Sequence, residues 1–170
     1  MQLPKELLEL IVEEVIKVHI RQDEAKAKER KDWRLRNTEL LLKNYRMLRS
    51  HCDGATEELN QYDNVFEPHE LEIHSLMQYK AKTARMLDFV DTQLKAYRSL
   101  CQASGEASDR RFKVVDRQYI DPAHIGKSKK EIAEGLNIDQ RTLYRDEKKA
   151  FEEISMYLFG FDSIQDLNVK

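Results

Sequence analysis

The chain has 170 residues, of which 41% are apolar and 35% charged, with five glycines, three prolines and a formal net charge of −2. So much charge with so little glycine and proline excludes a Gly/Pro-rich β-sandwich, a collagen-like repeat and a low-complexity chain, and points to long surface helices. A mean hydropathy of −0.72, with no stretch near the roughly 18 apolar residues of a spanning helix, excludes a helical membrane protein.

The first residues, Met1-Gln2-Leu3-Pro4-Lys5-Glu6, show no basic region, apolar run and small-residue cleavage site, so no secretory signal is expected. Cys52 and Cys101 lie far apart in sequence; each falls on an apolar stripe and reads as a buried small residue, not as part of a disulfide framework. A cytoplasmic location follows as the expectation.

No Gly or Pro occurs from Lys5 to Asp53. Pro4 suits a helix start, because its missing N–H would be unpaired there anyway. Leu7, Leu8, Leu10, Ile11, Val12, Val15, Ile16, Val18 and Ile20 cover a wide helical face. Residues 21–36 are nearly all charged, apart from Ala25, Ala27, Trp33 and Leu35, and are either a continuation of the helix or a break between two helices. Trp33 is assigned to a core or an interface. Leu41, Tyr45, Leu48 and Cys52 then repeat at four, three and four, a helical stripe with Asn37 one turn upstream. After Pro68, the residues Leu76, Tyr79, Thr83, Met86 or Leu87, Val90, Leu94, Tyr97 and Cys101 alternate by threes and fours, approximating a heptad seam. Residues 1–104 are therefore expected to form a helical hairpin or bundle, packed on itself or on a second copy of the chain.

Charge is unevenly spread. Residues 21–49 hold ten Lys/Arg and five Asp/Glu, a net of +5, whereas residues 51–79 hold seven acids and no Lys or Arg. No segment alternates with period two, so no sheet is expected and the fold class is all-α.

The strongest functional signal lies in residues 108–160, leaving 161–170 as a tail. Residues 110–120 offer Phe112, Val114, Val115 and Tyr119 as one helix of a three-helix core. Ser128 and Glu131, three apart before the apolar Ile132, form a capping box. Ile132, Ala133 and Leu136 make the inner face of a short helix. Asn137 tolerates the left-handed conformation of a tight turn, Ile138 plugs that turn, and Asp139 can cap the next helix. That helix buries Leu143, Ala150, Phe151 and Ile154. Two helices so joined make a helix-turn-helix. Its second helix presents Gln140, Arg141, Tyr144 and Arg145, side chains suited to hydrogen-bonding base edges in a major groove. Ser128, Lys129 and Lys130 begin the preceding helix, where they can hold a phosphate, with Thr142, Lys148 and Lys149 as further backbone contacts.

Residues 108–160 resemble the promoter-reading helix-turn-helix domain of bacterial sigma factors and, similarly, phage-type transcriptional regulators of the ArpU and RinA kind. The resemblance is carried by Arg111-Phe-Lys-Val-Val, Glu131-Ile-Ala-Glu-Gly-Leu, and Arg141-Thr-Leu-Tyr-Arg followed by Ala150-Phe. The segment from Asp32 to Tyr45 looks like one found in uncharacterised regulators of this group. The resemblance implies sequence-specific DNA binding and control of transcription in a phage or mobile element. Double-stranded DNA is the expected partner, RNA polymerase a second one. Residues 121–150 hold seven Lys/Arg and six Asp/Glu, a weak electrostatic footprint for one copy, so a homodimer is expected.

Two other readings compete. One is an interaction module that docks on polymerase or a sigma factor without touching DNA, motivated by the near-neutral C-terminal region and the acidic segment 51–79. The other is a small-terminase-like DNA-packaging subunit. No Gly-rich phosphate loop, nucleophile elbow or metal-spaced His pair is present, so no enzyme, metal or cofactor is expected. His69 and His74 are five apart, poor spacing for ligands on a helix.

Overall fold

The computed structural model describes the backbone of residues 5–52 and 71–160, with side chains for 13–52 and 78–160. The acidic segment 51–79, apart from its two ends, lies outside the described residues, as do His69, the side chain of His74 and the tail 161–170. The protein is all-α, with no strand among the described residues. No helix among them is long and apolar enough to cross a membrane.

Helix α1 (Lys5–Cys52) spans 48 residues without a break. The highly charged stretch 21–36 is thus a continuation, as its freedom from Gly and Pro and its many Lys, Glu and Arg residues permit. Helix α2 (Leu71–Ala103) ends before Gly105, whose φ of 100° lets the chain turn into α3 (Glu106–Val115). The helical path continues through a π turn (Asp116–Ile120) and a 3₁₀ turn (Pro122–His124), which Asp121 caps. Helix α4 (Lys129–Gly135) and helix α5 (Gln140–Phe159) follow.

Polar pairs set α1 against α2. Arg49 donates to Asp88 at 2.9 Å and to Asp91 at 2.6 Å, and the Tyr45 hydroxyl donates to Asp91. Numbers rise along one helix as they fall along the other, so the two run antiparallel. The larger core joins Leu42, Tyr45 and Cys52 of α1, Leu87, Val90, Leu94, Tyr97 and Cys101 of α2, Phe112 and Val115 of α3, and Ala150 and Ile154 of α5. The expected boundary near residues 104–108 is therefore crossed by one continuous core. A smaller core gathers Val114, Ile132, Ala133 and Leu143, with Leu136 and Ile138 against it.

Three packing expectations change. Leu42 replaces Leu41 and Leu48 as the fully buried leucine of the α1 stripe, because Thr38, Leu42, Tyr45 and Cys52 face α2 and α5 most directly. On α2 the seam runs through Ala84 and Leu87, whereas Tyr79 and Met86 are exposed on its outer side. Phe112 and Val115 separate from Val114 because they lie on opposite sides of α3, so this helix feeds both cores at once. Trp33 stays half-exposed, its ring edge-on to Phe159 at 5.7 Å.

Candidate nucleic-acid interface

Local chemistry builds the α4–turn–α5 unit. The Ser128 hydroxyl accepts from Glu131 N–H, and the Glu131 carboxylate accepts from Ser128 N–H at 2.7 Å, completing a reciprocal cap. Asn137 takes φ 55°, and Ile138 N–H returns to Ala133 C=O at 3.0 Å. Arg117 donates to Gly135 C=O at 2.8 Å, closing the free carbonyl end of α4. Asp139 caps α5 by accepting from Thr142 N–H at 2.9 Å and from its hydroxyl at 2.7 Å. These bonds hold the Asp139 carboxyl below the ordinary range, as the bonds from Ser128 do for Glu131.

Helix α5 divides its charge by face. Leu143, Asp146, Glu147, Ala150 and Ile154 recur at three- and four-residue steps and are all buried. Gln140, Tyr144 and Lys148 form one outer row; Arg141, Arg145 and Lys149 form the next. All six are exposed. Over residues 140–149 the outer rows thus carry four cations and no acid; Glu152, the next residue on the first row, is half-buried.

The buried acids are neutralised from neighbouring helices. Arg110 Nε donates to Asp146 at 2.8 Å. Lys129 Nζ donates to both oxygens of Glu147, at 2.8 and 2.7 Å, and the Tyr119 hydroxyl donates to the same carboxylate. Farther along, Glu153 accepts from Arg111 Nη1 at 2.6 and 2.8 Å and from the Tyr97 hydroxyl at 2.7 Å. Burial, then the carboxylate that each phenol faces, pushes the Tyr97 and Tyr119 hydroxyls far above the ordinary tyrosine range.

The structure therefore brings Gln140, Arg141, Tyr144 and Arg145 together on one face. Lys148 and Lys149 extend it. Lys130 is exposed at the start of α4, 4.0 Å from Glu134. Lys129 differs from the sequence expectation: its ammonium is committed to Glu147 and lies 4.6 Å from the Tyr144 ring centroid. A carboxylate four residues beyond Leu143 sits on the buried face, and it needs a cation within reach. The hydroxyls of Ser128 and Thr142 are likewise engaged in helix caps.

Sequence reasoning missed Asp146 and Glu147 as interior residues and Glu153 as a half-buried one. Their signal was available: they stand three or four residues from Leu143 and Ala150, on the apolar face. Among the described residues, no group of three His, Cys, Asp or Glu is placed to hold a metal ion. No family model, curated protein or solved structure matches the chain.

Proposed function

We propose that the protein is a sequence-specific DNA-binding regulator of transcription, with α4, the turn and α5 acting as a helix-turn-helix. The observation that carries this reading is the sorting of charge on α5: Asp146 and Glu147 are turned inward and paired, leaving Arg141, Arg145, Lys148 and Lys149 beside Gln140 and Tyr144 on an open helical ridge. Overall charge understates this face, since a count over residues 121–150 weighs buried and exposed acids alike.

In this reading the first turns of α5 enter a major groove. Arg141 and Arg145 read guanine, Gln140 reads adenine, and Tyr144 packs against base edges. Lys130, Lys148 and Lys149 contact phosphates and carry no sequence information. Two copies of the chain act on one site, which makes up for the few cations that one copy offers.

Selection of bound duplexes from a random pool with the purified full chain tests the proposal and returns the site. Arg141→Ala is expected to cost about 1–3 kcal/mol on the selected site. Lys130→Ala is expected to weaken selected and random duplexes alike. Equal recovery of every sequence, or no retardation of DNA at low salt, refutes the reading; in the second case the module that docks on polymerase becomes the better account.

A further inference from the structure

Along residues 13–30 of α1 no side chain is buried. At 1.5 Å per residue this stretch extends about 27 Å. It nevertheless carries Val15, Ile16, Val18 and Ile20, each between 45% and 62% exposed. In sequence, the same three- and four-residue spacing runs back through Val12, Ile11 and Leu8. A helix with no tertiary packing is marginal in water, and four large apolar side chains within six positions need a cover.

We propose that this arm is covered by the same arm of a second copy, lying antiparallel, with the two-fold axis near Val15 and Ile16. The inference concerns only the two-copy part of the functional reading and is tested without DNA, so either can fail alone.

Charge identifies the occupant and its direction. Residues 5–14 carry one lysine and four glutamates, a net of −3; residues 17–26, which stand level with them in an antiparallel pair about that axis, carry three Lys/Arg and two Asp/Glu, a net of +1. A parallel partner sets Glu9, Glu13 and Glu14 against their own copies, and Lys17 and Arg21 against theirs. An antiparallel partner sets Glu14 level with Lys17, and Glu9 level with Gln22 beside Arg21. The same pairing sets Val15 level with Ile16 and Ile11 level with Ile20. Packed helices lie about 8–10 Å apart, close to one Debye length at physiological salt, so these charges are felt across the pair. Lys17 already donates to Glu14 of its own chain at 3.0 Å, and a second copy turns that pair into an alternating cluster of four charges.

Light scattering on the full chain is expected to give a dimer that dissociates on dilution. Val15→Gln combined with Ile16→Gln keeps the net charge, places no new charge pair across the two-fold axis and touches neither core. It is expected to weaken the dimer at least about tenfold and to lower the far-ultraviolet helical signal, with the near-ultraviolet spectrum of the core retained. Raising NaCl from 50 to 500 mM is expected to weaken an antiparallel dimer and to strengthen a parallel one. For orientation, Glu9→Cys and Gln22→Cys variants are treated with a short bis-maleimide linker. Cross-linking in their mixture, above that of either alone, supports the antiparallel arm pair. A monomer at all concentrations, a dimer indifferent to the Val15/Ile16 change, salt strengthening, or cross-linking of each variant to itself overturns it.

Discussion

Glu153→Ala removes the acceptor at which α2, α3 and α5 meet. Tyr97 is 1% exposed, and the side chains of Arg111 and Glu153 are 12% and 22% exposed. The substitution strands a guanidinium that has lost bonds of 2.6 and 2.8 Å and a phenol that has lost one of 2.7 Å. Hydrogen bonds to charged groups are each worth about 1.5–3 kcal/mol, and breaking a buried pair costs about 3–5 kcal/mol. The partial exposure of Glu153 admits water to one of the lost sites, which places the expected loss near the lower end, about 3 kcal/mol. With a urea m-value of about 2 kcal/mol/M, the unfolding midpoint followed by circular dichroism falls by about 1.5 M. Glu153→Gln keeps an acceptor for Tyr97 but not the charge for Arg111, and it is expected to fall between. Replacing all three partners together, with Tyr97→Phe, Arg111→Met and Glu153→Leu, leaves no stranded group and is expected to come within about 1 kcal/mol of the parent. A loss below about 1 kcal/mol for Glu153→Ala alone refutes the assignment of this node as a structural tie.

Other expectations concern the turn, its caps and the candidate interface. Asn137 stands at φ 55°, so Asn137→Gly is expected to hold or raise stability, whereas Asn137→Val costs at least about 1 kcal/mol by thermal unfolding; equal melting of the two removes the strain argument. Asp139 has its carboxyl held below the unfolded value, so the stability it contributes is present above about pH 4 and is lost as pH falls through the lower folded value. Asp139→Ser caps without titrating, and its acid unfolding limb should be less steep below pH 4; an unchanged limb refutes the linkage. Glu147→Gln releases Lys129 toward solvent. It is expected to lower stability by about 1–3 kcal/mol while tightening binding to random duplex DNA in a mobility shift. Unchanged non-specific binding would mean that Lys129 is no part of a phosphate-facing surface even when free.

Much of the small C-terminal unit was legible because its signals are local. Ser128 with Glu131, the turn at Asn137 and the cap at Asp139 each act within four residues, the range over which a motif can be read without knowing what packs where. Spacing also put Ala133 and Leu143 inside. The charges were harder. Asp146 and Glu147 look like ordinary surface acids until Arg110, Lys129 and Tyr119 arrive from α3, α4 and the π turn, because a buried carboxylate is tolerable only where its partners converge.

The sequence by itself determined that the protein is all-α, how α4 and α5 are capped, and which short segment forms the turn between them, since propensity, caps and punctuation depend on near neighbours. Tertiary structure decided that α5 locks onto α1 and α2 through Ala150 and Ile154, and that the Glu153 node ties three helices together. It also decided which apolar positions remain uncovered: the stripe on the arm and the outer side of α2 match helical spacing as well as the buried seams do. Periodicity marks a face as apolar, but only the arrangement of the other helices determines whether that face is filled.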